Sequence, residues 1–320
     1  MASAQRIQCD PVTVRTVAFH RDPRELDGLR AAIARGAPSA DIPLADMRAN
    51  FEGLGSAMPV GEGIGHEAVT AGGRPAEWTR TAGCRSDAAI LHLHGGGYVL
   101  GSPRTTRAIT AGLARHTGLP VLALDYRLAP EHPFPAAVDD VVAAYSWLAG
   151  DQGVDPRRLV VSGDSAGGGL TMALLLALRD RGLPLPAGAV GLSPMLDLTL
   201  SSPSIDTNLG RDPQVTRPFL HFAIGHYLPP DVDPKSPLAS PIFADLTGLP
   251  PVLLQAGGDE ALRDDSIRFG EAADAAGVDV TVECWEAMMH VWQMLAPRLP
   301  EAEAALSSIA DWVGTLPGLA

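Results

Sequence analysis

The feature that most constrains the fold of this chain is an alternation of short apolar runs with longer amphipathic stretches. Four short runs show no polar alternation within them: residues 88–93, 120–125, 158–162 and 251–256. Strands buried on both faces of a parallel sheet have this continuous apolar character. Two further strand candidates are residues 189–192 and residues 278–285, and the second alternates as an edge strand does.

Helical patterns separate these runs. Apolar residues recur at three- and four-residue steps over residues 106–116, 137–148, 166–181, 265–276 and 301–313, which is the spacing of one helix face. Strands that alternate with helices form right-handed βαβ units. The sequence therefore predicts an α/β fold with a mostly parallel central sheet and helices on both faces. A hairpin around residues 67–80 is expected to precede it.

Two stretches depart from this rhythm. Residues 1–50 contain two possible helices, at 23–35 and 42–51, and no convincing strand; residues 195–245 contain Ser/Pro-rich loops and one helical pattern, at 216–227. Open α/β sheets bind ligands beyond the carboxyl ends of their strands, so we interpret both stretches as a helical cap over that edge. The predicted division is an N-terminal cap segment at 1–50, a catalytic domain in two parts at 51–194 and 246–320, and a cap insertion at 195–245.

Composition excludes several classes of protein. The 320 residues include 24 Lys+Arg and 37 Asp+Glu, a net charge of −13, and no basic face is visible, so we expect no nucleic-acid partner. Three cysteines without a C-x-x-C spacing favour a reducing cytoplasm over a disulfide framework. The first residues, MASAQRIQCDPV, do not resemble a signal peptide, and no apolar stretch approaches the roughly 20 residues of a membrane span. We expect a soluble, cytoplasmic protein.

The motif GDSAG at residues 163–167 is the strongest sign of chemistry. It has the form G-x-S-x-G, follows the run at 158–162 and opens an apolar helical pattern. The serine of a nucleophile elbow occupies a strained turn, so the residues two before and two after it must be small. This context favours a nucleophilic Ser165 over a chance match in a glycine-rich chain.

A second motif, HGGG at residues 94–97, directly follows the first apolar run. Consecutive glycines leave backbone N–H groups unshielded, as an oxyanion hole requires. We predict that the N–H groups of Gly95 and Gly96, together with that of Ala166, stabilise a tetrahedral oxyanion. The alternative is a flexible turn without chemistry.

An acid and a base are expected after the nucleophile, in that order along the chain. Asp259 follows the strand candidate at 251–256, and His290 is the only histidine beyond it. We predict that Asp259 fixes the imidazole tautomer and that His290 accepts the proton of Ser165. Glu260 competes with Asp259, whereas the acidic residues at the start of the next helical pattern are better explained as N-terminal caps.

Together these residues resemble the hormone-sensitive-lipase-like family of α/β-hydrolases, microbial carboxylesterases that carry an HGGG motif. The resemblance runs over about residues 60–315, through LHGGGY at 93–98, DYRLAPEHPFPAA at 125–137, GDSAGG at 163–168, SP at 193–194, the Asp259 loop and HVW at 290–292. It implies an α/β-hydrolase fold with a helical cap, a Ser–Asp–His triad without metal or other cofactor, and hydrolysis of short- to medium-chain acyl esters.

The chain departs from the family in the acid loop, which reads Asp259-Glu260-Ala261-Leu262 where many relatives have Asp-Pro-Leu. Matching the family, we assign the acid to Asp259 and keep Glu260 as the alternative. An amidase or arylacetamide-type deacetylase with the same triad is the nearest rival function. A non-catalytic receptor on this fold lacks the catalytic histidine, and His290 is present here.

Other residues carry weaker predictions. His92 and His94 lie two apart on a strand without a third ligand nearby, so we expect no metal site. The only expected partner is a small-molecule ester, with a homodimer possible through an edge strand near residues 280–285. Pocket lining and plain core packing are both open for Tyr98, Met195, Phe219 and Trp292.

Overall fold

A nine-stranded sheet organises the part of the chain that the computed structural model describes, residues 14–20 and 22–320. The order across the sheet is β1-β9-β8-β7-β6-β4-β5-β3-β2, and only the pairs β2–β3 and β3–β5 are antiparallel. The strands are β1 (Val14–Val17), β2 (Ile64–Ala71), β3 (Arg74–Thr81), β4 (Ala89–Leu93), β5 (Val121–Leu124), β6 (Leu159–Asp164), β7 (Gly188–Leu192), β8 (Val252–Gly257) and β9 (Val280–Trp285). The predicted α/β fold with a mostly parallel sheet is confirmed.

Each predicted helical pattern forms a helix; the ends lie within two residues of those expected, except that α1 begins four residues later than predicted and α2 ends five residues later. The helices are α1 (Asp27–Gly36), α2 (Leu44–Ser56), α3 (Arg107–Thr117), α4 (Ala136–Ala149), α5 (Ala166–Asp180), α6 (Ser204–Thr207), α7 (Arg217–Tyr227), α8 (Arg263–Ala275) and α9 (Pro300–Thr315). The only one that the sequence did not predict is the one-turn α6. Among the described residues, no helix is both long and apolar enough to cross a membrane.

The central strands are mostly apolar because helices cover both faces of the sheet. Along β4, Ile90 belongs to the core shared with α3 and α9, whereas its neighbour Leu91 belongs to the core shared with α4 and α5. Along β6, Val160 and Val161 divide in the same way. Alternate residues of a strand face opposite sides, so a strand between two helical layers is apolar on both faces, except where buried polar side chains such as His92 and Ser162 bond to each other.

The first described segment corrects one prediction. Val14–Val17 forms β1, which pairs in parallel with Val282–Trp285 of β9, although no strand was expected before residue 50. The strand is only four residues long, and only Val14 and Val17 of its side chains pack against the core, so no continuous apolar run marks it in the sequence. As a result β9 is an inner strand, and the edge expected near residues 280–285 belongs to β1.

The two stretches interpreted as a cap both reach the carboxyl ends of the central strands. From α2, Arg48 donates hydrogen bonds to the carbonyl oxygens of Val99 and Ala129, at 2.9 Å each, and forms an ion pair with Glu131. From α7, the apolar face that includes Phe219 and Leu220 is buried. Residues of both stretches therefore lie above the loops that follow β4 and β6.

Candidate active site

Ser165 occupies a strained turn between β6 and α5. Its backbone angles, φ 54° and ψ −120°, fall in a region that side-chain-bearing residues rarely adopt. A Cβ atom added to Gly163 would lie 2.2 Å from the carbonyl oxygen of Gly167, and one added to Gly167 would lie 1.9 Å from that of Leu93. Only glycine fits at these two positions, which is the geometry expected of a nucleophile elbow.

In the HGGG loop, one of the backbone N–H groups that were predicted to bind the oxyanion is already hydrogen-bonded within the protein. The N–H of Gly95 donates to Asp164 Oδ2 at 3.0 Å, so it is committed within the protein, and the prediction that Gly95 serves the oxyanion is contradicted. Within the described part of the chain, no hydrogen bond uses the N–H of Gly96, Gly97 or Ala166. These three N–H groups are the ones left for a ligand.

His94 anchors this loop. Its ring stacks on Tyr126 with centroids 4.2 Å apart, and its Nδ1 donates to the Gly95 carbonyl oxygen at 2.8 Å. The Tyr126 hydroxyl in turn donates to the His94 carbonyl oxygen at 2.6 Å. Burial lowers the pKa of His94 to about 4, so the ring is neutral at pH 7 and takes no charge into the loop.

The neighbouring His92 joins the strands beneath the site. Its Nδ1 lies 2.8 Å from Ser162 Oγ, and its Nε2 lies 2.8 Å from Thr106 Oγ1 and 3.2 Å from Asp164 Oδ1. Both ring nitrogens are therefore engaged by side chains. Among the described residues, no group of three His, Cys, Asp or Glu side chains is arranged to hold a metal ion.

His290 lies on the segment after β9 and is buried. Val291 holds this segment in place, because its N–H donates to Ser193 Oγ at 3.0 Å. The Nδ1 atom of His290 lies 3.5 Å from Glu260 Oε2. Burial by itself lowers the pKa of His290, but the Glu260 carboxylate outweighs burial, and the net pKa of His290 is raised.

The structure corrects the predicted acid. Asp259 faces away from His290, with Oδ2 2.6 Å from Arg30 Nη2 and Oδ1 3.5 Å from Arg211 Nη1. Glu260 is fully buried, burial raises the pKa of its carboxyl group, and His290 partly offsets this rise. The carboxyl group that faces His290 is that of Glu260.

Backbone hydrogen bonds explain which of the two acidic residues points inward. The N–H of Gly258 donates to the carbonyl oxygen of Trp285 at 2.7 Å, and the N–H of Asp259 donates to that of Met288 at 3.0 Å. These bonds tie the turn to the His290 segment, so that Asp259 faces the cap while Glu260 faces the core. A signal was present in the sequence: aligning Glu260-Ala261-Leu262 with the family's Asp-Pro-Leu keeps the leucine in register.

Ser165 and His290 line a cavity of about 50 Å³, together with Gly95, Gly96 and Gly97. Of the four residues for which pocket lining was open, Met195 and Phe219 line this cavity. Tyr98 instead stacks on Tyr227, and Trp292 packs against Trp285 in the core. The structure thus brings four of the six predicted site residues to one cavity, and Ala166 follows Ser165 directly at the start of α5.

A larger apolar chamber of about 370 Å³ adjoins the cavity. It lies between α1, α2 and the segment that leads into α9, where its wall includes Ile33, Leu54 and Leu299. Four residues belong to the walls of both spaces, namely Phe51, Thr105, Gln214 and Met294. The two spaces therefore share a wall beside Ser165.

Comparisons with known proteins agree with this architecture. Residues 90–294 match the family described as having the alpha/beta hydrolase fold. The chain is 46% identical over 253 residues to an acetyl-hydrolase of Streptomyces hygroscopicus, covering 79% of this chain and 83% of that protein. It is 43% identical over 227 residues to an esterase of Acinetobacter venetianus, covering 71% and 75%.

Solved structures give the same result. An esterase from the bacterial hormone-sensitive lipase family superposes with a TM-score of 0.87 at 46% identity, covering 92% of this chain and 98% of that one. EstE5, soaked with p-nitrophenyl butyrate, gives a TM-score of 0.85 at 45% identity, covering 90% and 97%. The chain therefore belongs to the alpha/beta hydrolase fold family, in the group of hormone-sensitive-lipase-like esterases that its HGGG and G-x-S-x-G motifs predicted.

Proposed function

We propose that this protein is a serine carboxylesterase that hydrolyses short- to medium-chain acyl esters. The observation that carries the proposal is the convergence of three features on one cavity: a serine in a strained elbow, a buried histidine and uncommitted backbone N–H groups. This set of groups serves acyl transfer. The relatives and neighbouring structures named esterase or acetyl-hydrolase support the same reaction class.

In the proposed mechanism, Ser165 Oγ attacks the ester carbonyl carbon while His290 Nε2 accepts the hydroxyl proton. The oxyanion of the tetrahedral intermediate accepts hydrogen bonds from the N–H groups of Gly96, Gly97 and Ala166. Glu260 keeps the proton of His290 on Nδ1 and stabilises the imidazolium that forms.

The intermediate collapses when His290 donates the proton to the departing alcohol, which leaves an acyl group on Ser165. A water molecule then attacks this acyl-enzyme with His290 as general base, and the carboxylic acid is released. Each step uses only side chains and backbone groups of this chain, so the proposal requires no cofactor.

The two adjoining spaces support the proposed range of acyl chains. The cavity at Ser165 is small, about 50 Å³, and admits a compact group. The chamber of about 370 Å³ adds apolar volume within the range usual for small-molecule sites. Residues from 1–50 and from 195–245 line these spaces, which supports the division into a two-part catalytic domain with a two-part cap.

The test is hydrolysis of p-nitrophenyl esters from acetate to palmitate by the wild-type protein and by Ser165→Ala. The variant should lose nearly all activity while its thermal unfolding temperature stays unchanged or rises. Ser56→Ala, at an exposed serine at the end of α2, is the matched control and should retain full activity. Substantial hydrolysis by Ser165→Ala would sink the serine mechanism, and a rate maximum beyond about ten carbons would contradict the chain-length range.

The rival amidase function has the same catalytic groups, so it needs a substrate comparison. An anilide and the phenyl ester of the same acid should be offered side by side. We expect the ester to be hydrolysed faster by several orders of magnitude. Comparable rates on both substrates would favour the hypothesis that the protein is an amidase or deacetylase.

We also propose a cytoplasmic location and leave a homodimer as a prediction. The described cysteines, Cys84 and Cys284, are free, which is the usual state in a reducing compartment.

Because β1 lies beyond β9 in the sheet order, pairing of two copies through this edge would use Val14–Val17. Light scattering on the wild-type protein and on Thr16→Pro would test that route, since proline removes a strand N–H.

A further inference from the structure

Three buried polar side chains from the stretch after β7 bind the backbone of the loop that carries Glu260. Asn208 Nδ2 donates to the carbonyl oxygens of Gly258, at 3.1 Å, and Glu260, at 2.9 Å. Ser204 Oγ donates to the carbonyl oxygen of Ala261 at 2.7 Å. Asp212 Oδ2 accepts from the N–H of Ala261 at 2.8 Å. The turn at residues 258–261 is therefore held from the side of the cap insertion.

Asp212 also connects this loop to the wall of the catalytic cavity. Its second oxygen, Oδ1, accepts from the N–H groups of Gln214, at 2.9 Å, and Val215, at 3.0 Å. Both of these residues line the cavity that contains Ser165. One buried carboxylate thus bonds to the acid loop with one oxygen and to the cavity wall with the other.

The side chain of Glu260 depends on this backbone for its position. Among the described residues, neither of its carboxylate oxygens has a hydrogen-bond partner of good geometry, and the side chains that act on it directly are those of His290, at 3.5 Å, and Ser193. A carboxylate that accepts several hydrogen bonds is held by them. Glu260 lacks such bonds, so its distance to His290 is set by where the main chain of 258–261 lies.

We propose that Asn208 and Asp212 of the cap insertion are positioning residues for Glu260, and that the cap insertion is therefore part of the catalytic apparatus as well as a cover for the substrate. The inference rests on the proposed function, because it assigns a role relative to the triad. A shift of the stretch 204–212 would carry the acid loop with it and lengthen the contact between Glu260 and His290.

The experiment is a double-mutant cycle between Asn208→Ala and Glu260→Gln, with kcat and KM measured on p-nitrophenyl butyrate. A misplacement of about 1 Å lowers a rate by on the order of 10²-fold, so Asn208→Ala should lower kcat by about 10- to 100-fold with little change in KM. In the Glu260→Gln background the same change should lower kcat less than about twofold, because no carboxylate remains to be positioned.

A second readout and a matched control separate positioning from general damage. Asn208 carries no charge, so its replacement should change the pH dependence of kcat by moving Glu260. A more distant Glu260 raises the pKa of His290 less, so the acidic limb of the kcat profile should move to lower pH. Thr207→Ala, at the exposed residue next to it in α6, should leave kcat, KM and the pH profile unchanged. If Asn208→Ala does not fold, Ser204→Ala takes its place in the cycle, because Ser204 Oγ also donates to the acid loop and carries no charge.

The outcomes are distinguishable. Equal losses of kcat from Asn208→Ala in both backgrounds, with an unmoved pH profile, would overturn the positioning role and leave the esterase proposal standing. A Glu260→Gln variant with wild-type kcat would instead remove Glu260 from the triad, and with it the basis of this inference. Loss confined to the wild-type background, together with the pH shift, supports the proposal.

Discussion

Replacing the Glu260 carboxylate with an amide is the most direct perturbation of the proposed triad. The imidazole of His290 becomes positively charged in the transition state, and Glu260 Oε2 lies 3.5 Å from its Nδ1. In Glu260→Gln the side chain keeps its size but loses its negative charge. The amide also places a donor where a carboxylate accepted, which favours the unproductive tautomer of His290.

The magnitude follows from the distance. Two unit charges 3.5 Å apart interact by about 5 kcal/mol at an effective dielectric constant of about 20. A barrier raised by that amount lowers the rate by about 10³- to 10⁴-fold. The corresponding acid-to-amide change in Ser–His–Asp enzymes lowers kcat by about 10⁴-fold, which agrees with this value.

Asp259→Asn is the matched comparison, because it removes one charge from the adjacent residue of the same loop. Asp259 is partly exposed and paired with Arg30, and exposed ion pairs contribute at most about 1 kcal/mol. We expect kcat within about tenfold of wild type.

The assay is steady-state hydrolysis of p-nitrophenyl butyrate from pH 5 to 9, with circular dichroism to confirm that each variant is folded. Glu260→Gln should be the damaging change by at least two orders of magnitude. The reverse order, with Asp259→Asn inactive and Glu260→Gln active, would falsify the assignment of the acid.

Three further predictions test the site. The pKa of His290 is raised, and His290 must be neutral to act as the base. We therefore expect kcat/KM to be maximal above that pKa and to fall as pH decreases through it. A pH of half-maximal kcat/KM below the ordinary histidine pKa of about 6.5 would contradict the raised pKa. Asp164→Ala removes the acceptor of the Gly95 N–H and so disturbs the HGGG loop that supplies donors to the oxyanion. Because the oxyanion exists only after attack, kcat should fall about 10²-fold while KM stays nearly constant. A change confined to KM would refute this prediction. Phe51→Ala removes a side chain from the wall that the cavity and the chamber share and should raise kcat/KM for octanoate over acetate by on the order of tenfold; an unchanged ratio would exclude the chamber as the acyl site.

The sequence predicted the parts of the molecule that local pattern determines. Runs such as residues 159–161 are apolar at every position because two helical layers cover the sheet, and such a run is visible in the sequence of a single strand. Ser165 was identifiable because its neighbours at 163 and 167 must be glycine for steric reasons. His290 followed from chain order, as the last histidine.

The features that were missed depend on contacts far apart in the chain. Whether Asp259 or Glu260 faces His290 is decided by hydrogen bonds to Trp285 and Met288, which no local pattern records. Gly95 was assigned to the oxyanion because the contact of its N–H with Asp164 joins two loops 69 residues apart. Strand β1 has too few apolar residues to be recognised without its partner β9.

The pairing of β1 with β9 has a consequence for the order in which the chain assembles. Domains fold as the chain emerges from the ribosome, N-terminal residues first, yet Val14–Val17 has its partner at Val282–Trp285. This strand, the first among the described residues, must therefore wait for its partner until β9 has been made. The ion pair between Arg30 and Asp259 imposes the same delay on α1. The wall of the apolar chamber that α1 contributes is thus among the last parts of the molecule to form, and a chain that ends before β9 lacks it.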